Sequence, residues 1–263
     1  MNKLLATAFA LLLSTAAAAA ELQETVDRTF DVRPGAELVL ENVNGRITIN
    51  SWDQPRVHVI ARKEVEADRE EIKGVMKELV IEMQPRNGGL VVKTHHPKRS
   101  EGASGFFDWL LGDHVNINVE YEITVPRTMD VDVTNTNGGI HLDNISGKLE
   151  VDTTNGKIEL ARCAGSLDAS TTNGSIHAEL VKVAKGQELH CETTNGRIDV
   201  VVPRDFAADV DADTTNGAIS TDLPISTTHV ARNSLRGTIN GGGTPVRLRT
   251  TNGGIAIRTA SKS

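Results

Sequence analysis

Aromatic residues are scarce in this sequence, which has five Phe, two Trp and one Tyr among 263 residues. A core must therefore be built from Ile, Leu, Val and Ala. Lys and Arg number 28 against 35 acidic residues, so a basic surface that binds nucleic acid is not expected. Two cysteines are too few for a disulfide framework or a four-cysteine zinc site.

The first 20 residues differ in composition from the rest. Lys3 precedes an apolar run over residues 4–13, and an alanine tract ends at Ala20. This order predicts a secretory signal peptide over residues 1–20. Beyond it no run reaches the ~18 apolar residues of a transmembrane helix, so no membrane span is expected in the mature chain. We expect an exported protein, periplasmic or associated with the cell surface.

A short internal repeat dominates the remainder of the chain. The tetrapeptide Thr-Thr-Asn-Gly occurs with its Asn at Asn155, Asn173, Asn195, Asn216 and Asn252. Looser copies contain Asn44 and Asn137, and another has Arg236 in the Asn position. With that position as zero, every copy has Ile at +3 and an aliphatic residue at −6. Position +8 forms a further apolar column, of Trp52, Ile145, Cys163, Val181, Pro203 and Pro224.

The alternation of apolar positions on both sides of Asn-Gly has a period of two, which indicates strands joined by turns. We attribute the turns to the tolerance of Asn and Gly for positive φ. Two folds satisfy the alternation: an antiparallel β-sandwich made of hairpins, and a β-solenoid in which each 16–22-residue repeat is one coil. The solenoid is favoured, because identical residues then stack about 4.8 Å apart and form ladders.

Three segments are predicted: the signal peptide over residues 1–20, an N-terminal β segment over 21–126, and the repeat array over 127–263. The β segment contains an excursion over about 65–114. Within it, residues 68–79 predict a short helix with an apolar face, and two short strands flank Asn87-Gly88. Strict alternation then resumes over residues 115–125 and leads into the array.

The sequence resembles the bacterial putative-adhesin family, a group of unknown function with β-strand repeats. The resemblance lies in residues 43–47 (Val-Asn-Gly-Arg-Ile), the strand over 121–126, the Thr-Asn-Gly-x-Ile array and the helix that precedes it. It implies an exported β-helical protein of the cell envelope, with a role in adhesion or envelope stress. The resemblance implies no catalytic residues.

The candidate contact segment is the aromatic loop within residues 100–113. Three of the aromatic residues lie in four positions, and the apolar residues are Phe106, Phe107, Trp109, Leu110 and Leu111. Clustered aromatic side chains of this kind mark surfaces that contact an envelope protein, a glycan or a membrane. The alternative is a cap that covers an open end of the solenoid.

Metal and catalytic sites are not predicted. Stacked carboxylates at positions −5 and −3 could attract Ca²⁺, but the pattern is more typical of a solvated face; they are Asp132, Glu150, Asp152, Asp168, Glu192, Asp211 and Asp213. His141, Glu159 and His177 share position +4, yet alternate coils lie about 9.6 Å apart, too far for one zinc ion. His95, His96 and His114 lack a ligand spacing, and Cys163 and Cys191 are expected to be buried thiols.

The sequence therefore predicts a non-enzymatic, cofactor-free envelope scaffold that presents the aromatic loop to a partner. One alternative is a calcium-dependent, polysaccharide-active β-helix enzyme. A second alternative is a periplasmic regulator of envelope stress. The sequence leaves the partner and the oligomeric state open.

Overall fold

The computed structural model describes residues 20–67, 72–97, 115–184 and 186–260. Its first part contains seven strands and a helix: β1 (Ala20–Asp31), β2 (Glu37–Glu41), β3 (Ile47–Trp52), β4 (Arg56–Ala67), α1 (Ile72–Glu78), β5 (Val80–Arg86), β6 (Gly89–His95) and β7 (Asn116–Pro126). The predicted helix, the hairpin around Asn87-Gly88 and the strand over 115–125 are therefore confirmed. The signal peptide prediction falls outside the described residues.

Thirteen further strands follow in the described part of the repeat region. They are β8 (Asp130–Asn137), β9 (Ile140–Asp143), β10 (Ser146–Asn155), β11 (Ile158–Asn173), β12 (Ile176–Lys182), β13 (Leu189–Asn195), β14 (Ile198–Val202), β15 (Ala208–Asn216), β16 (Ile219–Thr221), β17 (Ile225–Ala231), β18 (Ser234–Ile239), β19 (Thr244–Asn252) and β20 (Ile255–Thr259). Each complete repeat is a strand, an Asn-Gly corner and a second strand. We call such a unit a coil and name it by its Asn.

Neighbouring coils pair in parallel and in register, which confirms the β-solenoid and rules out the antiparallel sandwich. The strands before the corners form a first sheet in the order β5-β6-β2-β8-β10-β11-β13-β19-β15-β18-β17. The strands after the corners form a second sheet in the order β1-β4-β7-β3-β9-β11-β12-β14-β20-β16. The long strand β11 contributes to both sheets.

The inward columns of both sheets form one core. The Ile residues at +3 pair coil to coil and are buried except for Ile219, which is partly exposed in the short strand β16; they are Ile47, Ile140, Ile158, Ile176, Ile198, Ile255 and Ile219. The aliphatic column at −6 is buried in every parallel coil. The coils are thin, so the space inside them fits aliphatic side chains but leaves little room for aromatic rings. This accounts for the scarcity of aromatic residues.

The order of the coils in space departs from their order in the chain. The Asn252 coil, formed by β19 and β20, lies between the Asn195 coil and the Asn216 coil. The other coils follow the chain from Asn44 to Asn195. Repeat spacing alone does not show this insertion, because every coil carries an aliphatic residue at −6 and Ile at +3.

Two details of the repeat prediction are wrong. The Arg236 copy is not a coil: β18 pairs antiparallel with both β15 and β17, and Val230 of that hairpin is 64% exposed. The prediction of an apolar column at +8 is also wrong, since only Ile145 and Cys163 of its residues are buried. Arg162 has a φ of 52°, and the resulting bulge places Leu180 opposite Cys163, so that Val181 is 53% exposed.

Candidate functional site

The seven corner asparagines form a continuous ladder along one edge of the solenoid. Each amide nitrogen donates to the amide oxygen of the next coil over 2.7–2.8 Å, in the order Asn216, Asn252, Asn195, Asn173, Asn155, Asn137 and Asn44. The structure thus brings together every predicted corner Asn. An amide is suited to this position because it donates and accepts at the same time.

Threonine and glycine complete the corner. The Thr at −2 donates its hydroxyl to the carbonyl of the corner Gly in the neighbouring coil, over 2.8–3.3 Å, and five coils share this bond, from Thr153, Thr171, Thr193, Thr214 and Thr250. A Cβ on corner Gly174 would lie 1.8 Å from the carbonyl oxygen of Gly156. Most corner glycines have no positive φ, so our turn explanation is wrong there: close backbone approach requires the glycine.

The predicted contact residues, Phe106, Phe107, Trp109, Leu110 and Leu111, lie outside the described residues. The structure does fix the two strands that flank them. Strand β6 pairs with β2, and β7 pairs with β3, so both strands lie beside the Asn44 coil. The segment between β6 and β7 is therefore attached at one end of the solenoid.

Elements other than the aromatic loop cover this end. The first sheet continues past β6 to β5, and the second sheet continues past β7 to β4 and β1. Helix α1 packs against β4 and β1 with Ile72 and Met76 buried. Lys63 of β4, also buried, donates to the carbonyl oxygen of Leu79 over 3.3 Å and pairs with Glu24 at 2.8 Å. The strand edges of the Asn44 coil are therefore covered by further paired strands, and a helix packs on the second sheet.

The outer face of the first sheet carries the acidic columns, as predicted. Burial, together with the nearby carboxylates Glu150 and Asp152, raises the pKa of both Asp132 and Asp168. Among the described residues, no group of three or more His, Cys, Asp and Glu side chains is arranged to hold a metal ion.

Two arginines compensate the negative charge of the acidic columns at the end of the solenoid opposite the Asn44 coil. Arg249 of β19 pairs with Asp211 at 2.8 Å and with Asp213, while Arg236 of β18 reaches the same carboxylates at 3.1 and 3.3 Å. Burial alone would raise the pKa of Asp211, but hydrogen bonds from Arg249 and Arg236 and their charges lower it overall.

The predicted set of two histidines and a glutamate stacks as expected, and the two cysteines are buried. Strand pairing places His141, Glu159 and His177 on successive coils. The hydrogen bond from Lys157, aided by the charges of Lys157 and the two histidines, lowers the pKa of Glu159. Cys163 and Cys191 are buried free thiols, as predicted, and burial raises both thiol pKa values.

Two members of the remaining histidine group, His95 and His96, lie in the described part of the chain. His95 pairs with Glu82 at 2.5 Å. Burial, and then the charge of His95, lowers the pKa of His96 to about 4. His114 lies outside the described residues.

Sequence reasoning missed two surface features. Strand β17 ends the first sheet, is exposed along nearly its whole length and has no Lys, Arg, Asp or Glu, although the low charge of residues 225–231 was a visible signal. Trp52 stacks on His58 with ring centroids 6.2 Å apart, and His58 pairs with Asp27 at 2.8 Å. Asp27 is 31 positions from His58, so no local pattern indicated that ion pair.

These features define a two-sheet parallel β-solenoid whose corners are tied by an asparagine ladder. The chain belongs to the Toastrack DUF4097 family, whose model matches residues 107–258. This match confirms the resemblance to the putative-adhesin family. Among the described residues, no helix has the length and apolar character needed to cross a membrane.

Solved structures of low identity also match the chain. A "putative cell adhesion protein" from Clostridium sporogenes is 12% identical with a TM-score of 0.46, over 90% of this chain and 100% of that one. A "putative adhesin" from Bacteroides fragilis is 10% identical with a TM-score of 0.26, over 90% and 97% of the two chains. A "putative lipid binding protein" from Parabacteroides distasonis is 11% identical with a TM-score of 0.26, over 90% and 97%. No curated protein matches the chain.

Proposed function

We propose that this protein is a non-catalytic binding scaffold of the bacterial cell envelope. Residues 1–20 direct its export, and the solenoid holds the aromatic segment, residues 106–111, against an envelope partner. Residues 21–126 form the part that carries this segment, and residues 127–263 form the rigid array behind it. The proposal combines the repeat architecture with the position of the segment in the fold.

The observation that carries the proposal is the covered end beside the Asn44 coil. Strands β1, β4 and β5 and helix α1 already extend or cover the sheets there. The scaffold thus has no evident need for a further cap between β6 and β7. Five large apolar residues in six positions are then better explained by contact with a partner.

The array suits a scaffold because its corners are tied throughout. The Asn ladder and the Thr–Gly bonds link each coil of the array to the next, in addition to the backbone pairing of both sheets. Such repeated bonds hold the flanking strands β6 and β7 in a fixed relation. A fixed base reduces the ordering cost when a presented segment binds.

The test is binding of the purified protein to envelope membranes. A triple variant, Phe106→Ser, Phe107→Ser and Trp109→Ser, removes the aromatic anchors. We expect its sedimentation with isolated envelope vesicles to fall by about tenfold or more, because buried aromatic anchors dominate interface energies. Circular dichroism and thermal unfolding of the variant should match those of the unmodified protein.

The matched control removes exposed apolar side chains elsewhere. Val80, Val181 and Val230 are 49%, 53% and 64% exposed, and their replacement by Ser should leave sedimentation unchanged. Equal binding by the aromatic variant and the unmodified protein would contradict the proposal. Absence of binding by the unmodified protein would contradict it as well.

A further inference from the structure

The Asn252 coil is inserted between two coils that are consecutive in the chain. Its strand β19 pairs with β13 on one side and β15 on the other, and β20 pairs likewise with β14 and β16. All other neighbouring coils in the array follow chain order. A space one coil wide therefore separates the Asn195 coil from the Asn216 coil, and only a later part of a chain can fill it. We call this space the slot.

The slot recognises its coil through bonds on both faces. Asn252 donates to Asn195 over 2.7 Å and accepts from Asn216 over 2.8 Å. Thr250 donates to the carbonyl of Gly196 over 2.9 Å. The apolar columns of the inserted coil are buried as well, through Val246, Leu248, Ile255 and Ile257.

Charge explains why this coil, rather than direct stacking, occupies the slot. Direct stacking of the Asn195 coil on the Asn216 coil would place Glu192 at −3 beside Asp213 at −3. In the observed order Arg249 is in register with both of them. Arg258 also pairs with Asp199 of β14 at 3.2 Å. The inserted coil is thus the basic layer between two acidic ones, and like-charge contacts are avoided.

The connection to the inserted coil has the properties of a hinge. Residues 240–243 are Asn-Gly-Gly-Gly, and all four have positive φ. These residues cross the start of β15, because β18 and β19 pair with opposite edges of that strand. The amide of Asn240 donates to the carbonyls of Arg204 and Phe206 over 3.0 and 2.9 Å, and Asp209 accepts from the Gly243 backbone over 2.9 Å. Glycine tolerates both the positive φ of the closed connection and an extended backbone, so the connection can open without steric cost.

We propose that the slot also receives the Asn252 coil of a second copy of this chain, which gives a reciprocally swapped dimer. The partner coil makes the same ladder bonds, ion pairs and apolar contacts as the chain's own coil. Only the connection over residues 240–243 changes conformation between the two forms, so exchange is governed by protein concentration during folding. The slot thus specifies the partner. It accepts a coil with basic outward residues, with Val, Leu, Thr and Ile facing inward, and with an Asn-Gly corner.

Disulfide trapping between two differently tagged full-length chains tests the exchange. Both chains carry Cys163→Ala and Cys191→Ala; one adds His190→Cys and the other Arg247→Cys. Residues 190 and 247 are register partners on the outer face, a spacing that a disulfide can bridge. After the chains are unfolded and refolded together, oxidation should give a covalent heterodimer, and its yield should increase with concentration.

The control pair is Glu150→Cys on one chain and Asp168→Cys on the other, in the same background. These residues are also register partners, but their coils follow chain order within the array. We expect about tenfold more heterodimer from the 190–247 pair than from the control pair, because only the inserted coil exchanges. Equal yields, or no heterodimer at any concentration at which the single-Cys chains refold, would overturn the proposal.

A hinge deletion provides a second measurement. The ends of β18 and β19 lie about two strand spacings apart, roughly 9.6 Å. Without Gly241, Gly242 and Gly243, the two remaining Cα–Cα steps span about 7.6 Å, too short for the closed form. Light scattering should then find dimers or larger assemblies with native circular dichroism. A folded monomer would contradict the exchange, and if the deletion does not fold, the trapping result decides.

Discussion

At the residue scale, three of the four residues of the Thr-Thr-Asn-Gly repeat have separate physical roles. The first Thr donates its hydroxyl to the carbonyl of the neighbouring corner Gly, as Thr193 does to Gly174 over 2.9 Å. The Asn joins the amide ladder. The Gly leaves space for the adjacent backbone. The repeat therefore persists because every coil has the same neighbours, not because every turn needs positive φ.

Replacing Gly174 by Ala tests the role of close approach. The new Cβ would lie 1.8 Å from the carbonyl oxygen of Gly156, so both strands would have to separate. We expect a loss of about 3 kcal/mol or more of unfolding free energy, measured by chemical denaturation. Gly74→Ala is the control: nothing lies within 4 Å of its Cβ in α1, so helix propensity should stabilise the protein by up to about 1 kcal/mol. Equal effects of the two substitutions would disprove the packing argument.

His96 should make stability depend on pH. Burial, and then His95, lowers its pKa from 6.5 to about 4 in the folded state. The unfolded chain therefore binds a proton first as the pH falls, and the stabilising effect of neutral His96 is present above pH 6.5 and lost down to about pH 4. Denaturation between pH 7 and pH 4 should show this decline. His96→Gln should flatten it, and an unchanged profile in that variant would exclude His96 as the cause.

At the element scale, the strand order of the first sheet depends on charge as well as on apolar columns. Strands β13, β15 and β19 all carry an aliphatic residue at −6 and a Thr at −2 on the inward face, so these two positions do not distinguish the possible strand orders. Their outward residues differ: β19 is basic, whereas β15 is acidic. Arg249 then pairs with Asp211 and Asp213 of the neighbouring strand. Outward side chains thus select among orders that the core would accept.

Arg249→Glu tests this selection. It places a third carboxylate beside Asp211 and Asp213, which should lower the unfolding free energy by about 1–2 kcal/mol for partly exposed pairs. Arg232→Glu is the control with the same change of charge, because Arg232 is exposed in the turn between β17 and β18. Thermal unfolding in low salt should separate the variants, and added salt should reduce the difference. Equal melting temperatures would remove charge as the reason for the strand order.

At the scale of the whole molecule, the two ends of the solenoid differ. Beside the Asn44 coil, both sheets are extended by antiparallel strands and α1 packs on the second sheet. At the other end, the first sheet ends in the β17–β18 hairpin and the second sheet ends in the short strand β16. The two ends therefore offer different surfaces, and the aromatic segment is attached at the more fully covered one.

Deletion of residues 106–111 distinguishes a contact segment from a cap. The core consists of columns in the described strands, so we expect the deletion to retain the far-ultraviolet circular dichroism and cooperative unfolding. Its melting temperature should change by no more than a few degrees, as for a surface change. Deletion of the helical residues 72–78 should be much more damaging, because Ile72 and Met76 are buried. Loss of cooperative unfolding in the first deletion would support the cap.

Several features were predictable because they depend on short spacings. The alternation around Asn155 or Asn173 fixes which side chains face inward, and recurrence of Ile at +3 favours parallel stacking. The prediction for the Arg236 copy is wrong, since its Leu-Arg-Gly matches the spacing although the segment forms an antiparallel hairpin. The proposed contact residues of the aromatic segment were identified from local composition alone, and their role stays a prediction.

The sequence by itself determined the period, the inward columns and the corner residues of this protein. These properties follow from side-chain alternation and from identical neighbours, both of which are local or repeated along the chain. Only the tertiary structure decided that the Asn252 coil lies between the Asn195 and Asn216 coils. Repeats that are equivalent inside the core can stack in more than one order. Contacts between distant residues, such as Arg249 with Asp211, distinguish those orders, and no local pattern contains them.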